Sequence, residues 1–412
     1  MSFLRSTDII YQLANLKQLT FEVTDACNLS CKYCKYGELY DDHDARQNIM
    51  MPVEYAYNLI SYLTAIWTSE YNASNNIQVY ISFYGGEPLL NMNFIKNVIS
   101  YIEAHPCPTR TFVYSLTTNG TLLKQHIAYL AEKKFNIIIS LDGDEFNSSY
   151  RLKRNGAPSY FDVMDNIKYV QSHYTDYFEN HVYFNAVLHN RNSVECIHSF
   201  ITNNFDKVPS IGELNNMGVK PDKFKEFNAM YQNFETSLHS TTNGDYIEKD
   251  MSIKTPAFQR LTHYVFQKSD SIYNNYLDLL FGRPKKKIPT GTCIPFSRRM
   301  FVTVNGKILP CERIGQQFAL GYVTSDAVSL DMESIADKYN SYLNTIKPQC
   351  ALCHNYDTCT QCVFNIENIE NGGKCPGMMS KEQYRLLEER HLDYLRVHPD
   401  AYYKIMKEIS MD

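Results

Sequence analysis

The feature that most limits the possible folds is a regular alternation of strand-like and helix-like segments. Short runs rich in β-branched and aromatic residues alternate with longer amphipathic segments, which is typical of parallel βαβ units. The predicted strands cover 18–23, 77–83, 111–116, 136–140, 182–188 and, with a weaker pattern, 211–217. The predicted helices cover 51–71, 91–103, 122–134, 160–172 and 193–202. The sequence therefore predicts an α/β fold built on a parallel sheet.

A cysteine-rich loop follows the first predicted strand. Cys27, Cys31 and Cys34 stand at CX3CX2C spacing, at the carboxyl end of a strand, where α/β folds place their chemistry. Thiolates are the usual ligands of a [4Fe-4S] cubane, and three of them leave one iron open to an outside ligand. A zinc ion would require a fourth ligand, for which His43 is the nearest candidate. Three buried, chemically inert cysteines are a weaker interpretation of so dense a group.

A second cysteine array occupies the last third of the chain. Cys293 and Cys311 flank Gly306 in a CX12GX4C pattern, with a predicted hairpin between 301–304 and 308–309. The remaining members follow at CX2CX5CX2C spacing and beyond: Cys350, Cys353, Cys359, Cys362 and Cys375. Considered without the first loop, the CX2C pairs would also suit two zinc ions.

The second predicted strand ends in Gly85-Gly86-Glu87-Pro88. Two glycines allow the backbone to approach a ligand that a side chain would block. The carboxylate of Glu87 could accept charge-assisted hydrogen bonds from an ammonium group. Considered alone, the segment is also compatible with an ordinary turn before a helix.

Taken in order, these motifs resemble those of the radical S-adenosylmethionine (SAM) superfamily. The resemblance rests on CX3CX2C, the GGEP segment and the run from Ser140 to Gly143. It implies an open (β/α)6 partial barrel, in which a [4Fe-4S] cluster bound to SAM yields a 5′-deoxyadenosyl radical that abstracts a substrate hydrogen. The resemblance assigns the cluster to Cys27, Cys31 and Cys34. It assigns SAM contacts to Tyr33, Gly85, Gly86, Glu87, Ser140 and Arg151, with Lys153 and Arg154 as competitors of Arg151.

The second array resembles the SPASM domain of peptide-modifying radical SAM enzymes, with CX2C where CX3C is usual. The resemblance implies two auxiliary iron–sulfur clusters with interleaved ligands. One cluster would be fully ligated by Cys350, Cys353, Cys359 and Cys375. The other would have three thiolates from Cys293, Cys311 and Cys362, which leaves an open iron, a non-cysteine ligand or a smaller cluster.

Glu312 directly follows Cys311, where sulfatase-maturing relatives carry an aspartate that accepts a substrate proton. We expect Glu312 either to act as a general base or to be an ordinary surface residue. The expected function is maturation of a ribosomally made peptide through a thioether or carbon–carbon cross-link. The second candidate is an anaerobic sulfatase-maturating enzyme that forms formylglycine. Against it, Tyr84 stands directly before the GGEP segment, where those enzymes usually have a glutamine. A non-catalytic iron–sulfur regulatory partner is the candidate from a different class.

The composition limits the partners and the compartment. A net charge of −5 over 412 residues gives no reason to expect a nucleic-acid partner. We see neither a long apolar run nor an export signal, and twelve cysteines then favour metal ligation in the cytoplasm over disulfides. The expected partners are a peptide or protein substrate and an electron donor such as flavodoxin or ferredoxin.

The predicted organisation has three parts. Residues 1–218 would form the radical SAM partial barrel, 219–287 a helical insert, and 288–412 the SPASM domain. In the insert, helices are predicted at 224–237 and 256–281, followed by a basic run at 282–287, which is either a solvated loop or a patch for an acidic peptide. A charged helix at 381–409 would close the domain by packing across the SPASM region or the barrel.

Overall fold

The computed structural model describes residues 3–73, 77–269 and 288–408. Within these ranges one ten-stranded sheet crosses the molecule. The first six strands are all parallel and follow one another in chain order. These six strands are β1 Gln18–Thr24, β2 Ile77–Gly85, β3 Arg110–Thr118, β4 Asn136–Ser140, β5 Val182–Leu188 and β6 Ser210–Glu213. The α/β fold with a parallel sheet that the strand–helix alternation predicts is confirmed, and its six parallel strands match the open (β/α)6 partial barrel that the resemblance implies.

Crossover helices connect the strands and cover one face of the sheet. Their apolar residues join those of the strands in a single large core, which includes Phe21, Phe83 and Phe135 among its fully buried side chains. The helices up to the last barrel strand are α1 Ser6–Ala14, α2 Val53–Trp67, α3 Met92–Ala104, α4 Leu123–Glu132, α5 Tyr160–His173, α6 Thr175–His181 and α7 Val194–Phe205. Because the six barrel strands are parallel, their carboxyl ends lie at the same rim of the barrel, where the loops that carry the motifs meet.

The C-terminal part extends the same sheet. Strand β7 (Met300–Val302) pairs in parallel with β1, and β8 (Lys307–Leu309), β9 (Gly321–Val323) and β10 (Val328–Ser329) follow as an antiparallel meander. The hairpin expected around Gly306 is therefore present. Gly306 has φ +78°, and a Cβ there would lie 2.1 Å from the Val323 carbonyl oxygen, so both its conformation and its packing require glycine.

Two predicted elements of the middle region differ from the structure. The weak strand at 211–217 is shorter, because Leu214 leaves the sheet and packs with Tyr33 and Phe227 in a separate apolar cluster. The single helix predicted at 224–237 is two helices, because the Asn233 side chain accepts a hydrogen bond from the Thr236 amide and begins a new helix. These two helices are α8 Phe224–Met230 and α9 Phe234–His239.

The remaining helices of the insert are α10 Gly244–Met251 and α11 Pro256–Ser269. The second half of the helix predicted at 256–281 and the basic run at 282–287 lie outside the described residues. The division of the chain at 218 and 287 stays a prediction.

Near the C-terminus the chain is helical, as predicted, but in more than one piece. Helix α12 (Met332–Ala351) precedes α13 (Lys381–Val397) and α14 (Pro399–Glu408), and the break before α14 falls at Pro399. A proline disfavours helical conformation in the residue before it, here His398, and so ends the preceding helix. Ala401 and Ile405 of α14 pack with α11 of the insert rather than across the barrel, which corrects that expectation. No helix among the described residues is long and apolar enough to cross a bilayer.

Candidate active site

The first cysteine loop lies at the carboxyl end of β1, with all three thiols partly buried. Polar groups surround the sulfurs: Asn119 Nδ2 lies 3.8 Å from Cys27 Sγ, and Arg46 Nη2 lies 3.4 Å from Cys34 Sγ. Burial raises the pKa of Cys31 to about 12, although the nearby Arg151 guanidinium opposes this. The protein alone therefore favours the thiol, and a bound metal would have to supply the charge that favours the thiolate.

The backbone of this loop is fixed by contacts from other parts of the chain. Asp25 accepts hydrogen bonds from the Gln47 and Ile49 amides at 2.6 and 2.7 Å. Arg154 donates to the Cys27 carbonyl at 2.6 Å. The three cysteines thus project from a braced loop, as a rigid cluster site requires.

The two glycines of the GGEP segment lie against this same loop. A Cβ on Gly85, which has φ +134°, would lie 2.2 Å from the Thr24 carbonyl oxygen, and one on Gly86 would lie 2.0 Å from that of Ala26. The amides of Gly86 and Glu87 donate to those two carbonyls, each at 2.9 Å. The close approach expected of these glycines is therefore at least partly to the cysteine loop itself, which the sequence motif alone did not indicate.

Glu87 is fully buried and its carboxylate has three internal donors. Oε1 accepts from Thr118 Oγ1 at 2.7 Å and from the Leu89 amide at 3.1 Å, and Oε2 accepts from the Asn119 amide at 2.7 Å. Burial raises the pKa of Glu87 to about 7, against the effect of these hydrogen bonds. The carboxylate joins the ends of β2 and β3, and its contact with an ammonium group stays a prediction.

A buried polar network that the sequence analysis missed surrounds Asp142, two residues beyond β4. Its carboxylate binds Arg151 through two bonds, from Nε at 2.8 Å and Nη2 at 2.9 Å, and accepts a hydrogen bond from the Tyr33 hydroxyl. The Arg151 charge, opposing burial, holds the pKa of Asp142 far below its usual range. The Tyr33 ring stacks on His189, with ring centres 5.4 Å apart.

This network changes the interpretation of the predicted SAM contacts. Arg151 lies beside the cysteine loop and Tyr33 belongs to it, but both side chains bind Asp142. Of the competitors, Lys153 pairs with Asp162, and Arg154 contacts the Cys27 carbonyl. The signal for the network was Asp142 itself, because an aspartate directly after an apolar strand needs a partner if it is buried.

Ser140 ends β4 and is partly exposed, opposite Asn185 of β5 in the sheet register. The Asn185 side-chain oxygen is buried and has no hydrogen-bond partner among the described residues. Buried polar atoms are nearly always satisfied, so an unpartnered one at the ligand-binding rim fits a missing polar ligand. The donor set and this unpartnered oxygen together fit a cluster with a small polar cofactor beside it.

The cysteines of the second array form two groups. The first group surrounds a small cavity together with Thr290 and Gln349, and the Met379 amide contacts Cys353 Sγ at 3.3 Å. Its cysteines are Cys350, Cys353, Cys359 and Cys375. Gly291 must be glycine here, because a Cβ would lie 2.4 Å from the Cys359 carbonyl oxygen.

The second group consists of Cys293, Cys311 and Cys362, which interact electrostatically with one another. Thr292 links this group to the loop of Cys362, since its hydroxyl accepts from the Val363 amide at 2.7 Å. The two groups divide the cysteines as the predicted interleaving did. Among the described residues, no three His, Cys, Asp or Glu side chains converge in the way that a single metal ion requires.

Glu312 lies between the two halves of the site. Arg299 Nη1 holds its Oε1 at 2.7 Å, while Oε2 is buried and has no partner among the described residues. Burial raises the pKa of Tyr84, the residue before the GGEP segment, and the negative charge of Glu312 raises it further. The Tyr84 ring also lies 6.3 Å from that of Phe301 in β7. The C-terminal strands thus bring Glu312 close to the end of β2.

A partial α/β barrel with three cysteines on its first loop and a glycine-braced rim is the arrangement expected from the resemblance to SAM-cleaving, cluster-dependent enzymes. Comparison with known families agrees, since residues 21–201 match the model described as the Radical SAM superfamily. This part of the chain is a radical SAM domain, which binds a [4Fe-4S] cluster and SAM, and the C-terminal cysteine array fits a SPASM domain with auxiliary clusters.

Two curated relatives are informative. The chain is 30% identical over 225 residues to the radical SAM cyclopropyl synthase TigE of Paramaledivibacter caminithermalis. The aligned region covers 52% of this chain and 44% of that protein. It is 24% identical over 374 residues to a cysteine-type anaerobic sulfatase-maturating enzyme of Clostridium novyi, covering 87% and 91% of the two chains. The chain spans about half the length of the first curated relatives it matches.

Among solved structures, native anSMEcpe with bound AdoMet superposes with a TM-score of 0.57 at 17% identity. The match covers 95% of this chain and 100% of that one. At this identity the likeness concerns the fold alone, and it extends through both the barrel and the cysteine-rich part.

Proposed function

We propose that this protein matures a ribosomally synthesised peptide by forming a thioether or carbon–carbon cross-link. The observation that carries the proposal is the position of Glu312, next to an auxiliary cysteine and close to Tyr84 at the barrel rim. A base in this position could take a proton from a peptide held between the SAM site and the auxiliary clusters. The relative named as a cyclopropyl synthase supports carbon–carbon bond formation as one outcome.

We further propose that Cys27, Cys31 and Cys34 hold the cluster at which SAM binds. When bound, the cluster and SAM together supply the radical chemistry that removes a hydrogen atom from the substrate. The chain itself would orient SAM through the backbone of Gly85 to Glu87. The polar side chains proposed to contact SAM are Ser140, Asn185 and Arg151, and the proposed role of Tyr33 is to fix Arg151 and Asp142 beside them.

The role of Glu312 follows from its surroundings. Arg299 orients the carboxylate through Oε1, which leaves Oε2 available to accept a proton from a substrate thiol or carbon. The auxiliary clusters, held by the two cysteine groups, would take the electron that remains on the substrate after hydrogen abstraction. An external flavodoxin or ferredoxin in the cytoplasm would supply reducing equivalents.

The test is anaerobic incubation of the reconstituted protein with SAM, dithionite and a candidate precursor peptide from a short open reading frame near its gene. A Glu312→Gln variant should still form 5′-deoxyadenosine but should lose cross-linked product by at least tenfold, because hydrogen abstraction precedes proton loss. Glu333→Gln, at a surface position on α12, is the matched control. Full product formation by Glu312→Gln would refute the role of this carboxylate.

A second candidate is an anaerobic sulfatase-maturating activity. The near full-length match to the Clostridium novyi enzyme favours it. Tyr84 and Glu312 disfavour it, because those enzymes usually carry glutamine and aspartate at these two positions. Incubation with a sulfatase-derived peptide carrying cysteine or serine separates the two, since only formylglycine reacts with an aldehyde probe. An aldehyde product there, with no cross-link in the neighbouring peptide, would replace the first proposal by the second.

A further inference from the structure

Arg46 presents an unsatisfied hydrogen-bond donor beside the first cysteine loop. Its Nη2 donates to Cys34 Sγ at 3.4 Å, while its Nε is buried and has no partner within the part of the chain that the structure describes. Nε and Nη2 carry N–H groups on the same edge of the guanidinium, so the two donors point in the same direction. A buried donor without an acceptor is costly, so such a group normally marks a ligand or cofactor that satisfies it.

Arg151 uses the same edge of its guanidinium to bind a pair of acceptors. Its Nε and Nη2 bind the two carboxylate oxygens of Asp142 at 2.8 and 2.9 Å. On Arg46 one of these two donors binds the Cys34 sulfur, and the other faces an open position next to that sulfur. A [4Fe-4S] cluster bound at Cys34 would supply the missing acceptor, because each of its irons is bonded to inorganic sulfide as well as to a thiolate.

The position of Arg46 is fixed by the cysteine loop itself. Its guanidinium lies over the ring of Tyr36, with Cζ 5.1 Å from the ring centre, and Tyr36 follows Cys34 by two residues. The amide of Gln47, the residue after Arg46, donates to Asp25 at 2.6 Å, and Asp25 belongs to the segment that enters the cysteine loop. Arg46 is thus held at both ends of the loop whose sulfur it contacts.

We propose that Arg46 donates a forked hydrogen bond to the first cluster, with Nη2 on the Cys34 thiolate and Nε on an adjacent sulfide, and so raises the reduction potential of that cluster. This inference rests on the proposed assignment of Cys34 as a cluster ligand. Reduction adds negative charge to the cluster, and hydrogen bonds from a cation stabilise the more negative state. Arg46 is then a positioning and tuning residue, which favours transfer of an electron to the cluster before SAM is cleaved.

The test measures the midpoint potential of the first cluster in the full, anaerobically reconstituted chain, by redox titration followed by EPR. The signal of this cluster is the one that changes when SAM is added. Arg46→Met should lower the potential by about 59 mV or more, which is a tenfold change in the ratio of reduced to oxidised cluster. Arg46→Lys keeps the charge but loses the planar fork, so it should lower the potential by a smaller amount. Lys32→Met is the matched control, because it removes a positive charge from an exposed side chain of the same loop, and it should keep the parent's potential.

Proton ENDOR of the reduced cluster, recorded without SAM, gives an independent readout. The parent and Lys32→Met should show exchangeable protons coupled to this cluster, which Arg46→Met loses. The parent's potential in Arg46→Met, or an equal fall in Lys32→Met, would refute the tuning role. The parent's potential in Arg46→Lys would refute the fork, and this variant decides the test if Arg46→Met loses iron. A Cys34→Ala variant that kept the signal changed by SAM would instead refute the ligand assignment, so the two failures are distinguishable.

Discussion

Replacing Gly86 by alanine should selectively disable the first cluster site. The added Cβ would lie 2.0 Å from the Ala26 carbonyl oxygen, whereas ordinary contact begins at 3.4 Å. Ala26 directly precedes Cys27, so the cysteine loop would have to recede. Overpacking of this kind costs about 1–3 kcal/mol.

The same displacement would weaken two backbone hydrogen bonds, Gly86 N to Thr24 O and Glu87 N to Ala26 O, each 2.9 Å long. Each is worth about 0.5–1.5 kcal/mol, so the total cost to the loop is about 2–6 kcal/mol. The auxiliary cysteines lie elsewhere and should keep their iron. We therefore expect Gly86→Ala to lose one cluster out of three.

The assay is iron and labile sulfide analysis after anaerobic reconstitution, together with the change that SAM produces in the EPR spectrum of the reduced protein. Gly212→Ala is the matched control, since nothing lies within 4 Å of a Cβ at that position. If Gly86→Ala kept the parent's iron content and its spectral response to SAM, the proposed bracing of the loop by this glycine would be wrong.

Three further predictions concern stability. Asp142→Asn should cost about 3–5 kcal/mol in anaerobic urea unfolding, because it leaves Arg151 buried without its counter-charge; a loss below 1 kcal/mol would contradict this. Burial raises the pKa of Glu22 from 4.5 to about 7, so the folded chain retains a proton that the unfolded chain has released. The free energy of unfolding should consequently fall as the pH rises from 4.5 to about 7. Glu22→Gln should reduce this pH dependence, and a variant with the parent's pH profile would contradict the prediction. Ile405→Ala removes a fully buried side chain from the contact between α14 and α11, which should cost about 2–5 kcal/mol and expose α14 to proteases while the barrel resists; equal resistance in parent and variant would exclude this.

The barrel could be predicted from the sequence because its information is local. Each strand from β1 to β5 is an apolar run of the right length, and the helices between them have one apolar face. The weak strand β6 was overestimated, because Leu214 is apolar but packs with a different cluster, which only the three-dimensional arrangement determines. The break at Pro399 was in principle visible, since the proline restricts the residue before it.

The parts of the site that depend on the spacing of residues along the chain could be predicted. The parts that form where distant segments meet could not. The cysteine loops follow from their motifs, and the two cysteine groups follow the predicted division. The Asp142–Arg151–Tyr33 network joins three loops, so no short pattern reveals it.

The pairing of β7 with β1 has a consequence for how this polypeptide is made. Strand β1 leaves the ribosome long before the neighbour for one of its two edges, which is translated only near residue 300. Until then that edge presents unpaired amides and carbonyls, next to the loop that carries Cys27, Cys31 and Cys34. Nascent chains should therefore depend on a chaperone, or on slow release, until the C-terminal meander arrives and covers them.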